Sequence, residues 1–496
     1  MSRTALFAAL RRAFGLAWSR QPSAPAAVRP PRLGRRRALA LGLAAASLPR
    51  HALARRDARV VIVGAGLAGL ATAHHLRKAG LENVTVHEAN TRPGGRMYSL
   101  RDTLGPGTVA ELGGSFINSD HADMLALCRD LDLKLEDGAA SGADAGPSYF
   151  IAGRHRTIAD IATEAEDLVA RLARLRAEHQ ADKAAIDRVP VAAWLDRFGC
   201  TGWLRTLLDI GLTQEMGLEP DRMSGLYFTE TFAPDPKLPT RGLFSSDQRY
   251  QIAGGNDRLP AALVQRLSGL VIYGQRLEAV RHAGAGVVLD FQTPGGSREV
   301  RADLVVLTLP ATILRHVALR LDLPPLTRQA IRELRYGTNA KLFAGLTHRP
   351  WLAQGRGAEC LNDLGVQTVW EDHARPDPAP ASLTIFAGGR TGEGFGTGGA
   401  HARAQDALRR MNPAFPGLAA AFNGRASAMI WPRNPYVGGS YTCYAPGQWT
   451  RFAEAFGPSG PVVFAGEHTS NEFSGYMNGA AESGRLAAEA VLRALA

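Results

Sequence analysis

Short apolar runs near both ends of the chain have the length and surroundings of buried strands. The stretch "ARVVIVGAGLAGLATAHHLRKAGLENVTVHEAN" contains two such runs, residues 60–63 and 84–87, separated by a helical pattern that ends at Lys78. A third run, residues 462–465, precedes a helical pattern over residues 476–492 with small residues on one face. Strands that alternate with helices in this way predict an α/β domain built on a parallel sheet.

The middle of the chain has a mixed pattern. Apolar runs around residues 271–280 and in "ADLVVLTLP", residues 302–310, predict further strands for the same sheet. Residues 121–244 are rich in helical pattern, as in residues 158–181, where charges alternate along an exposed face. Residues 336–429 mix strands with glycine-rich loops. The two last stretches predict a second domain of sheet and helix.

One lysine interrupts a run that otherwise has the pattern of a buried strand, "YGTNAKLFAGL", residues 336–346. Lysine is almost never fully buried without a partner. Lys341 is therefore either a strand-edge residue whose ammonium reaches water, or a functional cation in a closed site.

The first strand runs into a glycine-rich turn that opens the first helix. Gly64-Ala65-Gly66-Leu67-Ala68-Gly69 has the spacing G-x-G-x-x-G, and Glu88 ends the second strand 24 residues after Gly64. Such glycines let the backbone approach a pyrophosphate at the helix N-terminus, while the acid accepts a hydrogen bond from a ribose hydroxyl. A strand, this turn, a helix, a second strand and then an acid occur in the order that predicts a dinucleotide site. The alternative is a glycine-rich turn without a ligand.

Positive charge is concentrated at the start of the chain. The formal net charge is +11, but residues 1–54 hold ten arginines and no lysine, aspartate or glutamate. The remaining basic and acidic residues almost balance, which argues against a nucleic-acid partner.

The same first segment has the features of an export signal. Arg35 and Arg36 precede a mildly apolar run, residues 38–48, and a small-residue site that ends at Ala54. This pattern predicts a twin-arginine signal peptide over residues 1–54 and a periplasmic or secreted protein. The run is shorter than the roughly 20 residues that span a bilayer, so no transmembrane segment is expected. A transit peptide or an unstructured tail is the alternative.

Four widely spaced cysteines, Cys128, Cys200, Cys360 and Cys443, form no C-x-x-C pair and lie near no histidine cluster. We therefore expect no metal site. An oxidising compartment would permit disulfides, whose pairing the spacing does not determine.

Three further motifs carry a resemblance to a known family. "TRPGGRMYS" and "ELGGSF" resemble the second signature of flavin-dependent oxidases and the loop beneath the isoalloxazine ring, and "GEHTSNEFSGYMNGAAESG" resembles their closing motif. The chain thus resembles the flavin-containing amine oxidases, which include monoamine, polyamine and L-amino-acid oxidases. The resemblance implies that Glu467 bonds the ribitol chain and that the helix start near Tyr476 and Met477 faces the flavin.

This resemblance implies a discontinuous Rossmann-like FAD-binding domain made of residues 55–120, 245–335 and 430–496. Residues 121–244 and 336–429 would form the substrate-binding domain. Leu277 would face the adenine, and Trp431 would pack near the flavin. The expected FAD-binding residues are Gly64, Ala65, Gly66, Leu67, Ala68, Gly69, Glu88, Ala89, Gly94, Gly95, Arg96, Gly113, Gly114, Ser115, Leu277, Trp431, Gly466, Glu467, Gly475, Tyr476 and Met477.

The resemblance also assigns catalytic roles. Lys341 would hold a water against flavin N5, and Tyr441 and Tyr476 would sandwich the substrate amine. Monoamine oxidases carry a covalent flavin cysteine where this chain has Ser440, so we expect noncovalent FAD, with Cys443 a remote alternative attachment point.

The expected activity is oxidation of a small amine to an imine, which hydrolyses to an aldehyde or ketone. Oxygen, reduced to peroxide, or another electron acceptor would reoxidise the flavin, and a homodimer is compatible with the family. An L-amino-acid oxidase is one alternative, although no arginine lies between Arg101 and Arg129 to bind a carboxylate. A desaturase, a porphyrinogen-oxidase-like enzyme and a non-enzymatic flavoprotein are others. The identity of the amine stays open.

Overall fold

The computed structural model describes residues 5–20, 57–138, 148–178, 182–232, 246–373 and 380–496. Its helices are α1 (Ala5–Ser19), α2 (Leu67–Lys78), α3 (Ala122–Asp130), α4 (Ile158–Glu164), α5 (Glu166–Glu178), α6 (Lys183–Asp187), α7 (Val191–Arg197), α8 (Gly202–Met216), α9 (Leu226–Phe232), α10 (Arg258–Arg266), α11 (Ala311–Leu314), α12 (Pro325–Glu333), α13 (Gly389–Gly394), α14 (Ala400–Met411), α15 (Trp449–Phe452) and α16 (Met477–Leu495). Its strands are β1 (Val60–Val63), β2 (Val84–His87), β3 (Ser99–Arg101), β4 (Val109–Glu111), β5 (Leu135–Asp137), β6 (Ser148–Ile151), β7 (Arg154–Arg156), β8 (Tyr250–Ile252), β9 (Val271–Ile272), β10 (Arg276–Ala283), β11 (Gly286–Thr293), β12 (Gly296–Ala302), β13 (Leu304–Leu307), β14 (Ala318–Arg320), β15 (Ala340–Leu346), β16 (Cys360–Asn362), β17 (Gln367–Trp370), β18 (Ala381–Ala387), β19 (Phe422–Ile430) and β20 (Val462–Phe464).

A parallel five-stranded sheet forms the centre of the first domain. Its order is β20-β13-β1-β2-β9, so its strands come from the start, the middle and the end of the chain. The predicted α/β class and the discontinuous sheet are therefore confirmed. Val60 and Ile62 of β1 pack in the core beneath the helices, whereas Val61 and Val63 face the opposite side, where the core includes residues of β10 and β11. A strand that is apolar at every position is expected when both faces of its sheet are covered.

The second domain contains a mixed seven-stranded sheet with the order β19-β15-β18-β17-β16-β6-β7. Strands β6 and β7 come from the first predicted substrate-domain stretch and the other strands from the second stretch, so the two stretches form one sheet. Strand β15 lies between β18 and β19 and is buried along its whole length. This position places Lys341 in the interior of the sheet.

Two predicted elements have different bounds in the structure. The helical pattern over residues 158–181 forms two helices, α4 and α5, which are separated at Ala165. A capping box at Thr157 and Asp160 starts the first of them. The apolar stretch over residues 271–280 divides between β9 of the parallel sheet and β10 of a second, four-stranded sheet with the order β12-β11-β10-β14.

Helix α1, within the predicted signal peptide, packs on α9 of the predicted substrate domain. Leu10 and Phe14 are at most 1% exposed, and the Phe14 ring lies 4.6 Å from the Phe232 ring of α9. The Arg11 Nε donates to Thr231 O at 2.7 Å. The twin arginines and the predicted cleavage site lie outside the described residues, so cleavage stays a prediction.

The cysteines are relevant to the predicted compartment of the protein, and the helices are relevant to whether it is anchored in a membrane. Each of the four cysteines is buried, and no disulfide joins any two of them. Among the described helices, none is both long enough and apolar enough to cross a membrane.

Candidate active site

Two glycines of the turn after β1 have no room for a side chain. Gly64 has a φ of +105°, and a Cβ on it would lie 2.5 Å from Thr308 Oγ1. A Cβ on Gly69 would lie 2.0 Å from Gly64 O, so this glycine lets α2 approach the turn. Gly66 is the N-cap residue of α2, and no side chain caps the helix. The helix start is therefore available to an anionic group.

Glu88 at the end of β2 is held by the backbone of the same turn. Its Oε2 accepts a hydrogen bond from Ala65 N and its Oε1 one from Asn90 N, both at 2.7 Å. Burial raises the pKa of Glu88, and these backbone hydrogen bonds act against that rise. Each carboxylate oxygen can accept a second hydrogen bond, as the expected ribose hydroxyl requires.

The second glycine segment lies beside the first and extends to the C-terminal motif. Gly94 N donates to Ala65 O at 2.8 Å. Arg96 Nη1 donates to Glu467 Oε1 at 2.8 Å, and Glu467 Oε2 accepts from Gly475 N at 2.7 Å. These contacts bring both ends of the chain around one site.

Lys341 is a buried ammonium with three hydrogen-bond acceptors. Its Nζ donates to Glu111 O at 2.8 Å, to Gly113 O at 2.8 Å and to Ser115 Oγ at 2.7 Å. The residue is 5% exposed, so the strand-edge interpretation is wrong. Burial lowers the pKa of Lys341, and the carboxylates of Asp372 and Glu111 act against that decrease.

The three acceptors account for the three protons of the ammonium. The direct contacts of Lys341 are thus with the Gly-Gly loop, residues 111–115. A lysine that holds a water against the flavin, as the resemblance implies, would have to open one of these hydrogen bonds.

Helix α16 begins at Met477 with Tyr476 as its N-cap residue, which confirms the predicted helix start. A Cβ on Gly114 would lie 2.7 Å from Met477 Cγ, so the Gly-Gly loop lies against this helix end. Trp431 donates from Nε1 to Leu112 O at 3.0 Å and supports the same loop. A helix N-terminus in this position favours negative charge on a bound group.

These segments line a cavity of about 290 Å³. Of the predicted site residues, Ala65 and Gly69 do not line it, because Ala65 binds Glu88 and Gly69 packs the helix on the turn. The predicted residues that do line it are Gly64, Gly66, Leu67, Ala68, Glu88, Ala89, Gly94, Gly95, Arg96, Gly113, Gly114, Ser115, Leu277, Lys341, Trp431, Tyr441, Gly466, Glu467, Gly475, Tyr476 and Met477.

One side of the cavity is aromatic. Tyr441, Tyr476, Phe116, Trp370 and Phe386 all line it. Trp370 packs edge-on against Phe386 with ring centroids 5.4 Å apart, and the Lys341 Nζ lies 5.3 Å from the Trp370 ring. Edge-on ring pairs of this kind form a rigid apolar wall.

The two predicted tyrosines are held by different contacts. Tyr441 donates its hydroxyl hydrogen to Glu215 O at 2.8 Å. The Tyr476 ring lies 5.2 Å from the His121 ring at an interplanar angle of 72°. Burial lowers the pKa of His121 to about 4, so this neighbour is neutral at pH 7. The structure brings both tyrosines to the same cavity, as the sandwich role requires.

Sequence reasoning missed four aromatic residues of this cavity, which are Phe116, Trp370, Phe386 and Tyr436. Phe116 directly follows the predicted Gly-Gly loop, so the loop motif could have suggested it. Trp370 at the end of β17 and Phe386 in β18 belong to no motif, and only the order of the strands brings them to the site.

The architecture and the site agree with the comparison to known families. Residues 67–492 match the family described as flavin containing amine oxidoreductase. The chain belongs to this family. FAD is accordingly the cofactor of this flavin-containing amine oxidoreductase. Its binding at the predicted dinucleotide site stays a prediction.

Individual relatives are distant but extend over nearly the whole chain. A Mycobacterium tuberculosis protein named flavin-containing monoamine oxidase AofH is 28% identical over 458 residues, which cover 87% of this chain and 96% of the relative. An L-amino-acid oxidase of Protobothrops flavoviridis is 25% identical over 485 residues and covers 91% of each chain.

Solved structures share the fold. Cyclohexylamine oxidase from Brevibacterium oxydans superimposes with a TM-score of 0.76 at 24% identity, covering 88% of this chain and 99% of that chain. Putrescine oxidase bound to putrescine gives a TM-score of 0.74 at 22% identity with the same coverage. At these identities the likeness shows the fold alone.

The residues of the cavity fit FAD on structural grounds. Two glycine segments lie side by side, and a Cβ on Gly64, Gly69 or Gly94 would clash. An uncapped helix start suits a pyrophosphate, and Glu88 keeps acceptor capacity for a ribose. Ser440, at the position of the covalent cysteine in monoamine oxidases, supports noncovalent binding. Its hydroxyl donates to Asn339 Oδ1 at 2.7 Å.

We expect Gly113→Ala to weaken FAD binding at least tenfold, or about 1.4 kcal/mol. A Cβ at this position would lie 1.7 Å from Arg96 O, a backbone atom, so the loop has to move. The ratio of flavin to protein absorbance after purification measures the effect. Gly394→Ala is the matched control, because its Cβ would meet no atom within 4 Å. Wild-type flavin content in Gly113→Ala would contradict the tight packing of this loop.

Proposed function

We propose that this enzyme oxidises monoamines that carry an apolar group, and that oxygen reoxidises the flavin with release of peroxide. Amine oxidation follows from the family; the kind of amine and the acceptor are proposals. The observation that carries the proposal is the aromatic side of the cavity, formed by Phe116, Trp370 and Phe386 together with the two tyrosines. Such a surface stabilises an apolar substituent by burial and by ring contacts.

The charged groups of the cavity favour a monoamine over a diamine or an amino acid. Among the described residues that line it, the carboxylates and arginines belong to the cofactor segments: Glu88, Arg92, Arg96, Arg276 and Glu467. The aromatic side therefore offers no described carboxylate for a second ammonium and no described arginine for a substrate carboxylate. The relatives named L-amino-acid oxidases make amino-acid oxidation the second candidate.

Three exposed carboxylates flank this side of the cavity. Asp247 lies between the lining residues Ser246 and Gln248, and its Oδ1 accepts from Ser119 N at 3.0 Å. Burial raises the pKa of Asp120, and the nearby carboxylates of Asp247 and Glu472 raise it further. An acidic rim attracts an ammonium ion and repels a carboxylate, which supports a cationic amine as the arriving substrate.

The chain's own residues orient the amine. Tyr441 and Tyr476 both line the cavity, where their rings would restrict the substrate to one orientation. FAD held by the two glycine segments, Glu88 and Glu467 would supply the hydride acceptor for the carbon that bears the nitrogen, and the imine product would hydrolyse to an aldehyde or ketone. The Lys341 ammonium and the start of α16 favour negative charge on the electron-rich cofactor. No protein base is needed, because the amine can lose its proton to water before it reacts.

We also propose export through the twin-arginine pathway to the periplasm or the medium. The arginine pair, the apolar run and the small-residue site support this proposal. That pathway carries folded proteins, which suits an enzyme that must bind FAD before export.

A substrate panel tests the proposed selectivity. We expect peroxide formation with arylalkyl and cyclic monoamines, and at least tenfold lower kcat/KM with diamines and L-amino acids. Asp247→Asn should lower kcat/KM for monoamines about threefold at low salt and much less at high salt, since steering is screened. His316→Gln, a change at an exposed site, is the control. Preferred turnover of an L-amino acid would overturn the monoamine proposal.

The electrostatic role of Lys341 can be tested by measuring flavin reduction and flavin reoxidation separately in Lys341→Met. Loss of the charge should slow flavin reoxidation by oxygen at least tenfold, about 1.4 kcal/mol, and slow anaerobic reduction by amine less. Methionine also leaves three buried acceptors without a donor, which costs about 1–3 kcal/mol of stability. Lys341→Gln, which keeps a neutral donor, separates the lost charge from the lost hydrogen bonds. Stopped-flow absorbance follows both steps, and a wild-type oxidative rate in Lys341→Met would contradict the electrostatic role.

The position of α1 makes export testable. Phe14→Ala should lower the free energy of unfolding of the full chain by about 3 kcal/mol, because it removes a buried ring. Leu16→Ala, at a side chain that is 46% exposed, should change it by less than about 0.5 kcal/mol. Urea unfolding measures both.

Mass spectrometry should show that the exported protein starts at Arg55, and an exported protein that retains α1 would contradict cleavage after Ala54.

A further inference from the structure

Glu111, the first residue of the Gly-Gly loop, has a carboxylate with no exposed surface. It accepts hydrogen bonds from Ser99 Oγ at 2.8 Å, from Asn256 N at 2.8 Å and from His373 Nε2 at 3.0 Å. Two of the donors are neutral, so the imidazole is the one partner among these three that can carry a compensating charge. A buried carboxylate needs such a partner to stay ionised.

His373 connects this carboxylate to a second acid. Its Nδ1 lies 2.7 Å from Glu136 Oε2, and its side chain is 5% exposed. Its backbone has a φ of +47°, in the left-handed region that is unfavourable for a residue with a side chain. The backbone N donates to Gln251 Oε1 at 3.1 Å. The surrounding contacts therefore hold His373 in one strained position between two carboxylates.

Glu111 connects His373 to the Gly-Gly loop. Its carbonyl accepts from Lys341 Nζ, and its backbone N donates to Asp372 Oδ2 at 3.2 Å. Asn256, which donates to the Glu111 carboxylate, also donates from Nδ2 to Gly114 O at 2.9 Å and to Ser115 O at 2.8 Å. Movement of the Glu111 carboxylate would thus move both the loop and the acceptor of Lys341.

We propose that His373 is a positioning residue for the flavin site, which holds the Glu111 carboxylate and thereby the Gly-Gly loop and the Lys341 ammonium in place. His373 does not line the cavity, and it acts through Glu111. The inference depends on FAD binding at this site and is independent of which amine is oxidised.

The charged groups around His373 predict the pH at which its imidazole loses the proton and no longer holds the Glu111 carboxylate. Burial lowers the pKa of His373, but its hydrogen bonds to Glu111 and Glu136 and the negative charges of Glu111 and Asp372 together outweigh burial and raise the pKa to about 9. Since this value exceeds the ordinary 6.5, the stabilisation is complete below pH 6.5 and is lost as the pH rises through about 9. The charged groups that face the imidazole or its carboxylate partner are Glu111 of β4, Glu136 of β5, Asp372 of the same segment, Lys341 of β15 and Arg101 of β3.

Release of FAD from the holoenzyme, followed as the increase in flavin fluorescence, tests the proposal without any amine. In wild type, release should accelerate as the pH rises through about 9. His373→Gln cannot carry the charge, so it should release FAD at least tenfold faster at pH 7 and lose the acceleration at alkaline pH. His316→Gln, at an exposed histidine, should behave like wild type. Wild-type release with an unchanged pH profile in His373→Gln would overturn the proposal.

A second variant decides the question if His373→Gln does not fold. Glu136 is the outer partner and its side chain is 48% exposed, so Glu136→Gln leaves no buried charge unpaired. It removes one of the carboxylates that hold the proton on His373. The onset of fast FAD release should therefore move to lower pH by about one unit, with release at pH 6 unchanged. A merely structural role for this segment would not move the onset, and an onset identical to that of wild type would overturn the proposal.

Discussion

The buried ammonium of Lys341 is the constraint on which the active site depends. A charge removed from water must be hydrogen-bonded, and all three acceptors of this ammonium belong to the Gly-Gly loop of the FAD-binding domain. The lysine itself belongs to β15, a central strand of the substrate domain. The position of β15 and the position of the Gly-Gly loop are therefore set together. The Arg96–Glu467 pair joins the chain ends in a similar way, but Arg96 is 27% exposed, so solvent weakens that contact.

Around this ammonium the charges alternate in sign. Glu111 and Asp372 face Lys341, and the His373 imidazole faces Glu111 in turn. Asp372 is held by Trp370 Nε1 and by Thr384 Oγ1, each at 2.8 Å. Because each buried charge has its partners only in this arrangement, the site is organised before a substrate arrives. Trp370 belongs both to this group of buried charges and to the aromatic side of the cavity. Its indole nitrogen donates to Asp372, and its ring lines the cavity.

The sequence predicted the parts of the structure that depend on local pattern. The glycine turn, the first strands, the start of α16 and the Gly-Gly loop follow from steric requirements of neighbouring residues, and the structure has them at the expected positions. It did not predict Trp370, Phe386 or His373, because an apolar strand pattern shows that a residue is buried but not what it faces. Their roles depend on the order of strands that are distant in the chain. The packing of α1 against Phe232 is likewise a contact between distant segments.

The distribution of charge also bears on the form of the substrate that reacts. Outside the cavity, the carboxylates of Asp120, Asp247 and Glu472 favour an approaching ammonium ion. Inside, a substrate cation would approach the Lys341 ammonium, and two like charges in a site of low polarity repel each other strongly. The aromatic faces attract a cation only by about 0.5–2 kcal/mol, which is insufficient to offset that repulsion in a closed site. An amine that arrives as a cation is therefore best accommodated once it has lost its proton, and the neutral form is also the one whose C–H bond can donate a hydride equivalent.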